Sequence, residues 1–164
     1  MNRHGITLDK IIPLSLERAE EAAAVKDDVD MELFPFFEEE AEGELKAVES
    51  VLYAWEREPA SAPLKGLGRT FHTLKGAANS IGHVRIGALA GGMKDLLDEL
   101  APAHAIVLRS QIIKTCIYFI GTVRSLLRET RSPQFNSVKK EQIIATIESI
   151  WRLREMEDGL RGAA

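Results

Sequence analysis

Apolar residues recur at intervals of three or four along most of this chain, beginning near residue 30. Such spacing places them on one side of an α-helix, whereas a half-buried strand would require strict alternation. The first stripe predicts a long amphipathic helix that starts near Phe34, with Pro35 in its first turn. Its predicted core residues are Phe34, Phe37, Ala41, Leu45, Val48, Leu52 and Trp55. The acidic residues between them are interpreted as a solvated face that needs no partner: Glu38, Glu39, Glu40, Glu42 and Glu44.

Further helices follow, separated by sequences that end or interrupt a helix. The segment 58–63 contains two prolines, Gly82 suits a left-handed helix end, and Pro102 stops a helix. The predicted helices cover about 64–81, 84–100, a long apolar stretch from near His104, and a last helix capped near Asn136 or Ser137. No pair of strands is predicted. The fold class is therefore all-α, an up-and-down four-helix bundle with one or two additional helices.

The same pattern predicts how the chain is divided. Residues 30–131 are expected to form the four-helix bundle. Residues 1–29 are expected to be an N-terminal extension, in which Leu14–Val25 suits a helix capped by Ser15. Residues 132–164 are expected to supply a C-terminal helix that packs on or extends the bundle.

Charge and hydropathy argue against two classes of partner. The formal net charge is -4 and no basic stripe is evident, which argues against nucleic-acid binding. The most apolar window, 106–127, is interrupted by Arg109, Lys114 and Arg124, which argues against a membrane span. No segment resembles a signal peptide, so the predicted setting is the cytoplasm.

Signatures of enzymes and cofactors are missing from the sequence. The single cysteine, Cys116, lies in an apolar run and is predicted to be a buried thiol. One cysteine excludes an internal disulfide and a cysteine-based zinc site. No histidine or carboxylate spacing suggests a metal site, and no glycine-rich nucleotide loop appears. The prediction is a protein without a cofactor or a nucleotide-binding domain, and hence not an enzyme on its own.

The second predicted helix carries an unusual polar face. Its apolar stripe consists of Leu64, Leu67, Phe71, Leu74, Ala78 and Ile81. The residues on the other side are Lys65, Gly68, His72, Gly76, Asn79 and His83. Glycine inside a helix costs about 1 kcal/mol relative to alanine, so glycines one turn before and one turn after His72 indicate that a partner approaches the imidazole closely.

An exposed imidazole in this position is available as a nucleophile through Nε2. A phosphoryl group on His72 would carry a charge of about -2. Lys75, one turn away, supplies a cation, and Asn79, two turns away, is a candidate donor, while Gly68 and Gly76 leave room for a partner. The pattern favours a residue that accepts and passes on a phosphoryl group. The other histidines are interpreted as incidental, for His4 and His104, or as exposed or helix-capping, for His83.

The run His72-Thr73-Leu74-Lys75-Gly76-Ala77-Ala78 resembles the signature of histidine-containing phosphotransfer (HPt) domains. Phe71 before it and Gly82 after it belong to the resemblance, which covers about residues 30–130. It is greatest to the HPt domains of CheA-type chemotaxis histidine kinases, whose first helix is similar to segment 34–45. The resemblance implies a helical bundle whose histidine is phosphorylated by a histidine kinase catalytic domain. That histidine then donates to an aspartate of a response-regulator receiver domain.

Carried onto this sequence, the resemblance makes His72 the phosphorylated residue, Lys75 its neutralising cation, and Gly76 the gap that admits the receiver. CheA-type domains commonly place a glutamate on the next helix, where it accepts a hydrogen bond from Nδ1 of the histidine. The corresponding run here begins with Lys94, so a lysine takes the glutamate's place. Without that carboxylate, His72 loses control of its tautomer, although many simpler HPt domains lack the glutamate.

Two hypotheses of different class stay open. In the first, the chain is a phosphoryl carrier, either free-standing or part of a longer signalling kinase. In the second, it is an HPt-like interaction module that binds a receiver or another signalling partner without being phosphorylated. The first predicts an acid-labile phosphoryl label that depends on His72, and the second predicts binding without a label.

Overall fold

The computed structural model describes residues 19–163, and this part of the chain is built of seven helices without a strand. The predicted all-α bundle is confirmed. The helices are α1 (Ala19–Ala24), α2 (Phe34–Arg57), α3 (Leu64–Ser80), α4 (Val84–Glu99), α5 (Pro102–Val107), α6 (Arg109–Arg131) and α7 (Lys140–Gly162). The long helices α2, α3, α4 and α6 form the four-helix core, and α7 packs against α4 and α6.

The first long helix begins where its sequence predicts. Helix α2 starts at Phe34 with Pro35 in its first turn. Backbone N–H groups in the first turn have no acceptor within the helix, so a proline, which lacks this group, is tolerated there. All seven predicted core residues of this helix are buried. The solvated face is only partly confirmed, because Glu42 pairs with Arg124 of α6 at 2.6 Å and Glu38 pairs with Arg131 at 2.5 Å.

Helices α3 and α4 make the most extensive contact between any two helices of residues 19–163. Small residues in the first half of α4 allow this contact: Gly87, Ala88, Ala90, Gly91 and Gly92 are all buried. A Cβ added at Gly87 would lie 1.9 Å from Oδ1 of Asn79, a distance that atoms do not reach without displacement. A side chain at position 87 would therefore have to displace the Asn79 amide, which lies directly against Gly87.

The turn between α3 and α4 is built on a glycine in the left-handed region. Gly82 has φ of 84°, as predicted for a residue just past a helix end. A Cβ there would also lie 2.1 Å from the carbonyl oxygen of Asp28. The segment before α2 thus crosses this turn, and the N–H of Asp30 donates to the carbonyl oxygen of Ile81 at 2.8 Å.

The same segment covers His83, and the prediction of an exposed or capping histidine is wrong. His83 occupies the position before α4, but its side chain makes no capping bond and is fully buried. Its Nε2 is 3.0 Å from Oγ1 of Thr130, and its Nδ1 is 3.5 Å from a carboxylate oxygen of Asp27. Burial lowers the pKa of His83 below its usual value, although Asp27 acts in the opposite direction.

A second histidine is also structural. His104, interpreted from the sequence as incidental, places its Nδ1 2.9 Å from Oε2 of the buried Glu157 and so ties α5 to α7. Burial tends to raise the pKa of Glu157, but hydrogen bonds from Arg161, His104 and the N–H of Ala101 outweigh it and hold that pKa below its usual value.

The long apolar stretch after Pro102 is two helices rather than one, since α5 ends at Val107 and α6 begins at Arg109. Helix α6 needs cover on two sides and packs against both α2 and α7. Its single cysteine, Cys116, is a buried thiol as predicted, and burial raises its pKa to about 12. Between residues 19 and 163, no helix combines the length and the apolar character needed to cross a bilayer.

The first and last helices of residues 19–163 pack on the rest of the bundle. Helix α1 lies against α7, while the predicted start of its helix, with Ser15 as the cap, falls outside the described residues. Helix α7 begins at Lys140, beyond the predicted caps Asn136 and Ser137, and no side chain caps it. The division into 1–29, 30–131 and 132–164 stays a prediction.

Candidate functional site

Helix α3 holds His72 on the surface by burying the opposite side of the helix. Leu67, Phe71, Leu74 and Ala78 are buried, and the ring of Phe71 meets that of Phe119 edge-on at 5.0 Å between centroids. These anchors fix the rotation of α3, and His72 is consequently exposed. Its imidazole makes no hydrogen bond or ion pair with any residue from 19 to 163, so both ring nitrogens are open to a partner.

Two close approaches set the register between the antiparallel helices α3 and α4. Gly68 faces Asp98, whose Oδ1 would lie 3.6 Å from an added Cβ, and Asn79 faces Gly87. In antiparallel helices, a residue four positions after Gly68 on α3 lies opposite the residue four positions before Asp98 on α4, and these two residues are His72 and Lys94. Counting seven positions back from Asn79 and seven forward from Gly87 gives the same pair. Lys94 thus stands across from His72, where the resemblance would place a glutamate.

His72 lies in an open groove of about 530 Å³ between the two helices. The groove is lined by Lys65, Gly68, Arg69, His72, Lys94 and Asp98. Within it, Nζ of Lys94 donates to Oδ2 of Asp98 at 2.5 Å, and this hydrogen bond is the main cause that raises the pKa of Lys94. Three basic side chains and one carboxylate therefore surround the imidazole.

Two of the predicted site residues belong to the helix contact. Gly68 is buried beneath Asp98, so it lines the groove without offering open space to a partner. Asn79 is partly buried, and its Oδ1 is enclosed against Gly87 without a hydrogen-bond partner. Seven residues of helix span about 10 Å, so the amide of Asn79 is also too far from His72 for a direct hydrogen bond to a phosphoryl group there. Asn79 is a packing residue of the α3–α4 contact.

The other predicted residues lie on the open side of α3. Gly76 is exposed, and a Cβ there would meet nothing within 4 Å. Lys75 is half-buried, and the register brings it beside the buried Gly91 of α4. Gly76 also lines a second depression of about 420 Å³ on the α2 side, together with Phe36, which is 72% exposed. An apolar depression therefore adjoins the face that presents His72.

Lys65 was placed on the face of His72 from the sequence, but two other residues of the groove, Arg69 and Asp98, were not singled out as site residues. Arg69 precedes His72 by three residues on α3, which is the spacing of one helix face. That spacing would have been sufficient to identify it. Asp98 stands in the run Lys94-Asp95-Leu96-Leu97-Asp98, but its place beside Gly68 depends on the α3–α4 register.

The chemistry available to this arrangement is that of a nucleophile among cations. No residue from 19 to 163 accepts a hydrogen bond from Nδ1–H of the imidazole, and the basic side chains favour an anionic group attached to Nε2. Within residues 19–163, no three His, Cys, Asp or Glu side chains are grouped as a metal site requires. A nucleophile with cations and an open approach suits the transfer of an anionic group between partners.

Comparison of the sequence with known protein families identifies the family of this chain. The family model described as the Hpt domain matches residues 32–131, well over half of the 164 residues. No curated protein and no solved structure matches the chain significantly. Hpt domains are phosphoryl carriers in two-component signalling and contain no nucleotide-binding domain. With its helical bundle and the matched span, this chain belongs to the Hpt domain family and has a histidine phosphotransfer role.

Proposed function

We propose that His72 is the residue that carries the phosphoryl group. It accepts the group from the catalytic domain of a histidine kinase and passes it to an aspartate of a response-regulator receiver domain. The observation that supports this assignment is the exposed imidazole of His72, which makes no hydrogen bond or ion pair within the described residues 19–163, on a helix of an Hpt bundle. His83 and His104 are engaged in structural contacts, which leaves His72 as the available histidine between residues 19 and 163.

The proposed transfer consists of two successive displacement reactions at phosphorus. The lone pair of Nε2 attacks the γ-phosphorus of ATP held by the kinase, the N–P bond forms, and the bond to the leaving oxygen of ADP breaks. The proton on Nδ1 passes to water. A receiver carboxylate then attacks the same phosphorus, the N–P bond breaks, and the imidazole recovers a proton. Nucleotide and magnesium are supplied by the partners.

Lys75 is the proposed neutralising cation for the phosphoryl group. It lies one turn after His72 on the same helix, within reach of a group attached to Nε2. Arg69 lies one turn before His72 and has the same reach in the opposite direction. A phosphoryl group of about -2 charge placed between two cations gains charge-assisted hydrogen bonds.

The experiment that tests this proposal is a two-step transfer assay. The chain is incubated with a histidine kinase and labelled ATP, separated from the nucleotide, and mixed with a receiver domain. We expect an acid-labile, base-stable label on the chain that then moves to the receiver. A stable complex with the receiver and no label at any stage would instead favour the interaction-module hypothesis.

That second hypothesis rests on one observation. Lys94 stands opposite His72, where an orienting carboxylate would raise the nucleophilicity of the imidazole, and an ammonium group accepts no hydrogen bond. A bundle that binds a receiver without phosphorylation would bind it equally well with glutamine at position 72.

The similarity to CheA-type domains and the cytoplasmic setting also stay predictions.

We expect Gly76→Leu to block transfer to the receiver. The leucine side chain would project from the open face one turn from His72, where a Cβ at present meets nothing within 4 Å. The same change stabilises the isolated helix by up to about 1 kcal/mol, so lost transfer would not reflect a lost fold. The measurement is the rate at which label passes from the phosphorylated variant to the receiver.

Gly121→Leu is the matched control for this prediction. Gly121 is an exposed glycine of α6 with equally open surroundings, and the same side chain there should leave transfer unchanged. Normal transfer by the Gly76 variant would show that the receiver does not approach along this face.

A further inference from the structure

We propose that Lys94 exchanges its partner Asp98 for the phosphoryl group on His72, so that phospho-His72 is held as a long-lived store. This inference rests on the proposed phosphorylation of His72 and assigns Lys94 a function of its own. The register places Lys94 opposite His72, and both side chains line the same groove. A cation at this place cannot accept a hydrogen bond from Nδ1–H of the imidazole, but it can bind the phosphoryl group that the imidazole carries.

The ion pair between Lys94 and Asp98 in the unphosphorylated chain is weak. Its ammonium lies 2.5 Å from the Asp98 carboxylate, one turn away on the same helix, and the two side chains are 27% and 56% exposed. Ion pairs this accessible to water contribute little to stability. A phosphoryl dianion carries about twice the charge of the Asp98 carboxylate, so exchange of partners on phosphorylation is favourable.

The bound cation slows loss of the phosphoryl group through its effect on the leaving imidazole. In hydrolysis a water oxygen bonds to phosphorus, the N–P bond breaks, and the released imidazole nitrogen takes up a proton. The imidazole leaves most readily when it is protonated, and a neighbouring ammonium disfavours that protonated form.

Asp98 is a positioning residue in this scheme. It makes no hydrogen bond or ion pair with His72 and acts through Lys94, to which it is hydrogen-bonded. It also competes with the phosphoryl group for the ammonium. Removal of the Lys94 charge and removal of the Asp98 charge should therefore change the lifetime of phospho-His72 in opposite directions.

The test measures that lifetime without a protein partner. The full chain is phosphorylated with potassium phosphoramidate, whose own N–P bond breaks as ammonia leaves, and decay is followed by ³¹P NMR at fixed pH. We expect Lys94→Gln to shorten the lifetime about threefold to fivefold, the range that a partly exposed ion pair supplies. Lys94→Arg should restore it, and Asp98→Asn, which removes the competing carboxylate, should lengthen it.

A spectroscopic readout separates this function from a merely structural one. The ³¹P shift of phospho-His72 should titrate at a higher pH in Lys94→Gln than in the unsubstituted chain, because the lost cation favoured the dianion. Lys114→Gln removes an exposed lysine of α6 outside the groove and should change neither quantity.

The outcomes separate this inference from the proposed function. A labelled chain whose lifetime and titration are the same with lysine or glutamine at position 94 overturns the inference and leaves the assignment of His72 standing. A shorter lifetime in both Lys94→Gln and Asp98→Asn also overturns it, because the two changes would then act by loosening the helix contact. A chain that takes no label on His72 overturns both proposals.

Discussion

Replacement of His72 by glutamine should abolish the phosphoryl label completely. The glutamine amide keeps the polarity and approximate size of the side chain, but its nitrogen lone pair is delocalised into the carbonyl and does not attack phosphorus. Because His72 is exposed and makes no hydrogen bond or ion pair with residues 19–163, the fold should be unaffected. The measurement is acid-labile incorporation from a kinase and ATP, with far-ultraviolet circular dichroism to verify the helical content.

The control for this prediction is another histidine of the chain. His104→Gln removes an imidazole that contacts Glu157 and lies outside the groove, so the label should remain. Incorporation into the His72 variant at the level of the unsubstituted chain would mean that a different residue carries the phosphoryl group. Loss of the label in both variants would point to disturbed folding rather than to chemistry.

Leu74→Ala should lower the free energy of unfolding by about 2 to 5 kcal/mol, the range for a large aliphatic residue removed from a packed core. Leu74 is 1% exposed and lies on the face of α3 that turns toward the core. The measurement is urea unfolding, in which the midpoint should fall while the slope stays constant. Such a loss is a large part of the stability of a domain of this size.

Thr73→Ala is the matched control on the neighbouring residue. Thr73 is exposed, so its truncation leaves no cavity, and alanine favours the helix by no more than about 0.7 kcal/mol. The contrast between adjacent positions reports the rotation of α3. Equal stability of the two variants would mean that α3 faces the core with a different side and that His72 is not presented as described.

Much of the fold was predictable because the signal is local. The stripe from Phe34 to Trp55, the start of α2 at Phe34 and the left-handed glycine at position 82 all follow from helix periodicity and from the conformational preferences of proline and glycine. The exposure of His72 followed in the same way. Once Phe71 and Leu74 face the core, a rotation of about 100° per residue places His72 about 130° from the centre of their face, on the outer side of the helix.

The interior histidines were not predictable in this way. His83 appears exposed when only its own helix is considered, yet Asp27 and Thr130, which are distant in the sequence, enclose it. His104 likewise forms a hydrogen bond with Glu157, a residue distant in the sequence. Burial of a polar side chain depends on partners brought by other elements, and single-helix periodicity carries no information about them.

For the site, the sequence by itself determined that the proposed nucleophile His72, the cation Lys75 one turn away and the open Gly76 lie near one another, because all three lie on one helix with a regular 3.6-residue repeat. Only the tertiary structure decided what the neighbouring helix contributes. The close contact between Asn79 and Gly87 sets the register that buries Gly68 beneath Asp98 and aligns Lys94 with His72. Register between two helices is a property of side-chain packing across the interface, so it emerges only when both surfaces are in contact.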